Sequence, residues 1–300
     1  MSFNGNSAGF NLTGNKLQLV EINVKGNDVL LENADDYSFE ETFTGDAKES
    51  VFISNLQTAY DNLSLRKKPD FSSVSFSLPA DYFLTFNMPV EKKLLKKEFD
   101  EHLLWEFSIL FPEKDPDDFV IQTIELGADK DNSFVVCIGK NNLKKIHKFC
   151  VRNNLKLKFI DFSHLSVHNY ICNLENSAEI LLSVYASGAD ISMALIKNDE
   201  VHNIRVLKNN ANSPLSSFIA DKIFKAFPEL ENTGGQVQYY ISGEQVTGSD
   251  VFELNSEFEV PFQRIDPFSK IKKSAATEYL ENDENNSQYL AAASMALRFS

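Results

Sequence analysis

The chain carries two hairpin-like stretches that constrain its fold more than any other feature, Gly9–Glu21 and Leu181–Leu195. Alternating apolar and polar residues predict β-strands, and Gly14-Asn15 supplies the tight turn of the first hairpin. Segments with helical spacing follow each stretch. A chain whose two halves each begin with a hairpin and continue into helices is predicted to have a duplicated α/β fold.

Length and composition indicate a folded chain that can bury a large core. It has 300 residues, of which 43% are hydrophobic and 25 are Phe, and this length predicts two domains. The 43 acidic residues exceed the 29 basic ones and give a formal charge of −14. Because this charge repels phosphate backbones and anionic lipids, we expect no nucleic-acid partner.

The sequence predicts a cytoplasmic protein that does not insert into a membrane. Residues 1–12 lack the basic and apolar segments of a signal peptide, and no later run approaches the roughly 18 apolar residues of a membrane span. Cys137, Cys150 and Cys172 have no C-x-x-C spacing and lie among apolar neighbours. We therefore expect them to be buried and reduced.

The first half is predicted to form one domain, residues 1–172. Apolar residues at three-to-four spacing predict helices over Ala47–Leu65 and Glu91–Leu110, and the latter ends at Phe111-Pro112. The other predicted helices are Asn141–Asn153 and Ser163–Cys172. The predicted strands are Gly9–Leu12, Leu17–Val24, Asp28–Glu32, Ser73–Leu78, Tyr82–Asn87, Phe119–Leu126, Ser133–Ile138 and Leu157–Ile160.

The second half, residues 173–300, is predicted to form a second and smaller domain. The polar link Asn173–Ala178 separates it from the first. Strands are predicted over Ile180–Val184, Ile191–Leu195, Glu200–Val206, Val237–Ile241 and Val260–Arg264, and helices over Ser213–Phe227 and Gln288–Arg298.

Several short motifs, each weak alone, occur in the order found in one family. Val74–Pro89 reads as strand, turn and strand, Trp105-Glu106 precedes Phe111-Pro112, and Leu155–Asp161 follows a helix. Tyr240–Gly243, Asp266–Phe268 and Ala291–Arg298 continue the series. The whole chain resembles PilM, the actin-like cytoplasmic protein of type IV pilus assembly. That family is related to FtsA and to the cytoplasmic part of type II secretion L-proteins.

The resemblance implies an actin-like, ribonuclease H-like α/β fold that is duplicated and carries an inserted strand-helix-strand module at about 73–153. Relatives place a long helical subdomain after the second meander. Here Val206 runs almost directly into the predicted helix Ser213–Phe227, so we expect the upper lobe of the second domain to be reduced.

The loops that hold nucleotide in this superfamily depart from the family pattern. Asn11 and Ser183 replace carboxylates, Thr13 and Tyr185 replace glycines, and the third loop continues into Glu244. Without carboxylates the metal and its water are not organised, and a side chain in place of glycine blocks the backbone's approach to phosphate. We expect a degenerate site with no catalytic residue, no metal and no cofactor, ATP with magnesium being disfavoured. Its remnants are Asn11, Thr13, Gln18, Ser183, Tyr185, Ser187, Ser242, Gly243 and Glu244.

An alternative is that the alignment is shifted and another acid, Asp190 or Asp199, serves the site. Neither acid lies at the strand end of a hairpin. The absence of a G-x-G-x-x-G or GK[ST] motif also argues against an enzyme.

By resemblance, the chain is expected to be a scaffold that binds the cytoplasmic tail of an inner-membrane assembly protein similar to PilN. Relatives use a groove between the first lobe and the inserted module, with apolar anchors and main-chain pairing. This would place the protein at the membrane periphery through its partner. Self-association stays open. The alternatives are an FtsA-like filament or division protein and an ATP-binding ATPase or kinase.

Three further groups of residues allow two interpretations each. His164 and His168 are four apart on a predicted helix, a spacing that suits a metal, but a surface or packed pair is favoured because no third ligand is evident. Lys92, Lys93, Lys96 and Lys97 could meet an acidic partner, but a solvated helix face is favoured. Trp105, Phe107 and Phe111 are expected in the core.

Overall fold

The computed structural model describes residues 5–26, 28–42, 44–90, 94–127, 132–173, 179–210, 213–232, 237–280 and 284–298. Its helices are α1 (Glu49–Arg66), α2 (Lys96–Leu110), α3 (Lys140–Arg152), α4 (Ser163–Cys172), α5 (Leu215–Ala226), α6 (Gly248–Glu257) and α7 (Leu290–Leu297). Its strands are β1 (Gly5–Leu12), β2 (Lys16–Lys25), β3 (Asp28–Ser38), β4 (Ser73–Leu78), β5 (Phe83–Pro89), β6 (Phe119–Leu126), β7 (Asn132–Gly139), β8 (Lys156–Phe162), β9 (Ile180–Ser187), β10 (Asp190–Lys197), β11 (Glu200–Lys208), β12 (Val237–Ser242), β13 (Phe262–Arg264) and β14 (Lys272–Lys273).

The first sheet has six strands in the order β14-β3-β2-β1-β4-β8. The predicted meander β1–β3 is antiparallel, and β4 and β8 extend it in parallel. Alternate side chains divide the sheet into two faces. Phe10 and Phe76 pack on one face with Phe52 of α1 and Phe149 of α3, and Val20 belongs to the core on the other face.

The second sheet repeats this plan with five strands in the order β11-β10-β9-β12-β13. The hairpin β9–β10 and strand β11 are antiparallel, and β12 runs parallel to β9. Ile219 and Ile223 of α5 and Leu254 of α6 cover one face. Only residues 209–214 separate β11 from α5, which agrees with the predicted reduction of the upper lobe.

Helices α4 and α7 lie between the two sheets. Helix α7 packs against β1, β2 and β4, and α4 packs against α7 and against β9, β10 and β11. The alanines of α7 are completely buried, and so is Leu290 at its start. These small side chains let the sheet backbone come close to the helix.

A third sheet of three strands, β5-β7-β6, forms the inserted module with α2. It spans residues 83–139, which is narrower than the predicted 73–153, because β4 joins the first sheet and α3 packs on α1. Phe107 of α2 is buried as expected and Phe111 is partly buried. The prediction for Trp105 was wrong, because this side chain points away from the sheet and is 59% exposed.

The C-terminal part departs from the predicted elements. Helix α6 was not predicted, although Thr247 and Asp250 form a capping box at its start. Strand β14 pairs with β3, so residues after 271 return to the first sheet. The division at residues 172 and 173 stays a prediction, and the structure adds that β14 and α7 pack with the first sheet.

The three cysteines are buried and free of disulfides, as predicted. Among the described residues, no helix combines the length and apolar character needed to cross a bilayer.

We expect Gly9→Ala to destabilise the protein by about 1–3 kcal/mol, the usual cost of overpacking a core. A Cβ atom at Gly9 would lie 2.0 Å from the backbone oxygen of Ala292 and 2.4 Å from the backbone nitrogen of Ala296. Urea unfolding measures the change in the free energy of unfolding. Gly248→Ala is the matched control, because a Cβ there meets no atom within 4 Å. Equal stability of the two variants would contradict the close contact between β1 and α7.

Candidate functional site

Three loops that follow parallel strands converge where the two halves of the chain meet. The turn after β1 contains Thr13, the turn after β9 follows Ser187, and the turn after β12 contains Gly243 and Glu244. The Glu244 carboxylate lies near Thr13 and Lys16 of one half and Ser187 of the other. The structure therefore brings together predicted site residues from all three loops.

The buried side chain of Asn11 forms hydrogen bonds with two neighbouring side chains. Its Nδ2 donates to Gln18 Oε1 at 2.8 Å, and its Oδ1 accepts from Ser77 Oγ at 2.8 Å. All three side chains are buried. Ser77 was not singled out from the sequence, because nothing in the strand pattern indicates which β4 residue lies beside Asn11. The Asn11 amide therefore links β1 to both β2 and β4.

Thr13 closes the first hairpin turn. Its Oγ1 donates to Asn15 Oδ1 at 2.8 Å and accepts from the backbone nitrogen of Lys16 at 3.1 Å. Lys16, the first residue of β2, reaches the C-terminal part of the chain, where its Nζ lies 3.3 Å from Gln288 Oε1. It brings a positive charge near the Glu244 carboxylate. The sequence did not indicate this role, because a single lysine at a turn carries no signal.

Tyr185 fills space between the hairpins. It is 1% exposed, and its hydroxyl lies close to Asn11, Ser163 and Ser187. Its ring centre is 5.0 Å from that of His164 in an edge-to-face arrangement. Burial raises the pKa of its hydroxyl, so the side chain is a neutral phenol at every physiological pH. A ring of this size occupies volume that a glycine would leave open.

Glu244 places a carboxylate in the same region. Its Oε1 accepts a hydrogen bond of 3.3 Å from Ser187 Oγ, and Oε2 has no hydrogen-bond partner in the described part of the chain. Burial raises the pKa of this carboxyl, and the nearby Lys16 charge acts in the opposite direction. A phosphate brought here would meet a negative or poorly solvated acid, which disfavours anion binding.

The structure requires glycine at position 243, because the backbone there lies close to that of Ala186. Its φ of 128° is unfavourable for a residue with a Cβ, and a Cβ would lie 1.9 Å from the backbone oxygen of Ala186. Ser242 is buried and donates to the Val184 carbonyl at 3.5 Å. The close approach of β12 to β9 accounts for both residues without a nucleotide.

Ser183 belongs to a buried chain with the two histidines of α4. His168 Nδ1 is 2.8 Å from Ser183 Oγ, His168 Nε2 is 2.8 Å from Ser192 Oγ, and His164 Nδ1 is 2.7 Å from the same Ser192 oxygen. His164 Nε2 is buried without a partner in the described residues. A neutral His164 with its proton on Nδ1 leaves only an acceptor unpaired, which costs less than an unpaired donor.

The two histidines are therefore packed inside the protein, one of the two arrangements favoured from the sequence. No group of three His, Cys, Asp or Glu side chains suited to a metal occurs among the residues the structure describes. Burial lowers the pKa of both His164 and His168 to about 3. Ser192, which links the two rings, carried no signal in the sequence.

A separate groove runs between the inserted module and the first lobe. Its volume is about 450 Å³, within the range typical of ligand-binding pockets. One wall comes from the three-stranded sheet and the other from α3, β8 and α4. The lining side chains are mainly apolar: Phe83, Val120, Ile124, Val136, Ile138, Leu143, Leu157, Phe159, Ile160, Phe162 and Leu165, with Gln122, His147, Lys158 and Asp161 as polar members.

Neither a protein-family model nor a curated protein sequence matches the chain. Several solved structures do match it. A chain of the PilM–PilN type IV pilus biogenesis complex superposes with a TM-score of 0.68 at 15% identity, covering 98% of both chains. A Bacteroides thetaiotaomicron protein with actin-like ATPase fold and unknown function gives a TM-score of 0.53 at 9% identity, covering 93% of this chain and 96% of that one. The chain has the actin-like ATPase fold.

The actin-like fold predicted from the sequence is thus confirmed, and its likeness to the PilM–PilN structure extends over nearly the whole chain. The ethanolamine utilization protein EutJ from Carboxydothermus hydrogenoformans also superposes, with a TM-score of 0.50 at 9% identity, covering 97% of this chain and 89% of that one. The assignment of the nine site remnants to a former nucleotide site stays a prediction. What the structure adds is that side chains of the chain itself occupy the region where they meet.

We expect the histidine pair to make the protein less stable as the pH falls below about 6.5. The folded-state pKa values of about 3 lie below the ordinary histidine pKa of 6.5, so the unfolded chain binds protons that the folded chain excludes. Stability present at neutral pH is then lost on acidification, by about 2 kcal/mol per histidine between pH 7 and pH 5. Urea unfolding at both pH values measures this loss.

In that experiment His168→Gln should reduce the loss of stability, since glutamine cannot be protonated. His147→Gln, a change of an exposed histidine, is the control and should leave the loss unchanged. If His168→Gln retained the full loss, the buried pair would not be its source.

Proposed function

We propose that the protein is a non-catalytic cytoplasmic scaffold of a type IV pilus or related secretion assembly platform, and that it binds the cytoplasmic tail of an inner-membrane partner similar to PilN. The observation that carries the proposal is the likeness to a chain of the PilM–PilN type IV pilus biogenesis complex over 98% of both chains. The protein would then stand at the membrane periphery through its partner.

The groove between the module and the first lobe supports tail binding. Its walls belong to different sheets, so an extended peptide lying in it would contact both. Val120 on β6 is 44% exposed and Phe159 on β8 is 38% exposed, which leaves apolar surface for a partner to bury. Burial of such surface contributes about 25 cal/mol per Å² and needs no nucleotide.

The polar members of the groove suggest how a tail would be oriented. Asp161 forms an ion pair with Arg298, whose guanidinium lies 4.3 Å from the centre of the Phe159 ring. Burial raises the pKa of Asp161, and the Arg298 charge opposes that shift. Asp161 places this ion pair at the wall of the groove that β8 forms. Apolar side chains of a tail would then bind toward Val120 and Val136.

The non-catalytic part of the proposal rests on the filled site. Asn11 is engaged with Gln18 and Ser77, Tyr185 occupies the space between the hairpins, and Glu244 adds a carboxylate. The expectation that Asp190 lies away from a strand end was wrong, because it is the first residue of β10 and pairs with Ser187 at the turn of the β9–β10 hairpin. The Lys208 charge lies near its carboxylate. Asp199 lies in the turn at the other end of β10, with a φ of 61°. An ATPase or kinase would need an acid and open backbone where these side chains stand.

We expect the purified protein to bind the cytoplasmic tail peptide of a single-span membrane protein encoded beside it. Val120→Glu should weaken that binding at least about tenfold, because a carboxylate would have to be buried against the peptide. Fluorescence anisotropy with a labelled peptide measures the dissociation constant. Val151→Glu is the matched control, since Val151 is a 60% exposed valine on α3 outside the groove.

Two results would contradict this proposal at different levels. If none of the neighbouring tail peptides binds, the scaffold function loses its support. If a tail binds and Val120→Glu has the same affinity as the unmodified chain, the partner site lies elsewhere on the protein.

We expect no hydrolysis of Mg-ATP and no saturable binding below millimolar concentrations. The reason is the combination of missing carboxylates at Asn11 and Ser183 with the ring of Tyr185 and the acid of Glu244. Calorimetric titration and phosphate release measure the two quantities. A micromolar dissociation constant for Mg-ATP would refute the degenerate site while leaving the tail-binding experiment unaffected.

A further inference from the structure

The groove between the inserted module and the first lobe is packed from behind by the second half of the chain. The described residues that line the groove all lie before residue 173. Several of them also belong to, or pack against, a buried cluster that includes Ala194 and Ile204 of the second sheet. These shared side chains are Phe83, Ile124, Val136, Phe162 and Leu165. The groove walls and the core between the two halves therefore have side chains in common.

One face of the three-stranded sheet serves both contacts. Ile124 and Leu126 of β6 are two positions apart and point to the same face, as do Phe134 and Val136 of β7. Ile124 lies directly opposite Phe134. Val136 lines the groove, whereas Leu126 and Phe134 belong to the cluster with the second sheet. This face is therefore a groove wall at one end and packs on the second sheet at the other.

Ile204 provides the larger of the two fully buried side chains that the second sheet brings to this cluster. It lies on β11 directly opposite Ala194 of β10, so both side chains project from the same face of that sheet. Alanine carries little apolar surface. The fully buried contact from the second sheet therefore depends mainly on Ile204.

A backbone hydrogen bond fixes the same contact at the end of the module. The Gly127 nitrogen, directly after β6, donates to the Val201 carbonyl at 3.1 Å. Gly127 has a φ of 75°, a conformation that favours glycine. Val201 of β11 also packs against the cluster. The module is thus joined to β11 through the main chain and through side chains.

Phe162 connects the cluster to both walls of the groove. It is the last residue of β8 in the first lobe, and its ring centre lies 5.1 Å from that of Phe83 and 6.3 Å from that of Phe134. Phe162 is completely enclosed in the same cluster as Ile204. Protein interiors are close-packed, so a cavity made at Ile204 lets the neighbouring side chains shift. The separation of the walls therefore depends on the second half of the chain.

We propose that Ile204 is a positioning residue for the groove: from the second half of the chain it holds the inserted module against the first lobe and so sets the distance between the two walls. Ile204 is fully buried, so it acts through the side chains of the walls and not by contact with a ligand. The consequence for a bound tail rests on the proposed function, whereas the support of the walls does not.

Hydrogen exchange of the purified chain tests this support without a ligand. Ile204→Ala should speed the exchange of the β6 and β7 amides at least about tenfold, because the module loses a packing contact that keeps it closed on the second sheet. The amides of α5 and α6 should exchange as in the unmodified chain, since these helices cover the other face of that sheet.

Ile223→Ala is the matched control. Ile223 is also a fully buried isoleucine of the second half, but it lies on α5 and belongs to the core on the other face of the second sheet. Its loss should speed exchange in α5 and leave β6 and β7 unchanged. Circular dichroism verifies that each variant is folded. If Ile204→Ala does not fold, Ile204→Val and Ile223→Val make the same comparison with a smaller deletion.

The same variants test the consequence for the tail. A labelled tail peptide that binds the unmodified chain should bind Ile204→Ala at least about fivefold more weakly, because the walls are no longer held ready at the separation that fits it. Ile223→Ala should retain the affinity of the unmodified chain. Ile204→Val, which restores most of the side chain, should recover most of the lost affinity.

Two results would overturn the proposal. One is exchange in β6 and β7 that Ile204→Ala leaves unchanged or speeds no more than Ile223→Ala does, since the second half would then not hold the module in place. The other is a tail peptide that binds the unmodified chain and Ile204→Ala equally well. If no tail peptide binds the unmodified chain, the proposed function fails, and the exchange measurement still decides whether Ile204 supports the groove.

Discussion

The packing of one short helix, α7, against β1 is the contact on which the rest of this fold depends. Ala292, Ala293 and Ala296 of α7 belong to the core beneath the first sheet, and Leu290 and Ala291 belong to the core shared with α4 and the second sheet. Half of the residues of α7 are alanine, and alanine contributes little transfer free energy, so the stabilisation at these positions comes from the density of contacts at close approach. The absence of a side chain at Gly9 makes that approach sterically possible.

This contact also explains why the cleft between the hairpins is filled. Tyr185 stands on β9 at a position where the resembled family has glycine, and its ring belongs to the same core as Leu290 and Ala291 of α7. A side chain that elsewhere would obstruct a ligand here adds apolar contacts between the two halves. Asn11 also serves the core, because its amide joins β1, β2 and β4 through neutral hydrogen bonds, whereas the resembled family has a charged carboxylate at this position. Residues that the sequence assigned to a degenerate site therefore also belong to the core.

The sequence predicted the repetitive parts of the fold well, because their signals are local. The hairpins β1–β2 and β9–β10 show clean alternation, and the stripe of α1 shows helical spacing, so each could be located without its neighbours. Trp105 was misplaced because an apolar residue on a helix is assigned to the core by default, and only the tertiary arrangement shows which side of α2 meets the sheet. The return of β14 to β3 was also beyond prediction, since two paired residues carry no periodic signal.

The sequence named several residues that the structure brings together, but it did not reveal their hydrogen-bond partners. Substitutions such as Tyr185 for glycine can be recognised from the pattern alone, whereas the partners Ser77, Ser192 and Lys16 depend on register between strands distant in the chain. A shift of one residue in that register would turn every one of these side chains to the opposite face. Polar partners inside a sheet therefore require the assembled structure.

The same rule of alternation organises the inserted module. Successive residues of β7, Val135 and Val136, face α2 and the groove respectively, so each surface rests on side chains one position apart. A peptide seated on Val136 would restrict the backbone that also positions Val135 and, through it, Phe107 of α2. The two faces of the module share this strand, so any coupling between them would pass through the rigidity of β7.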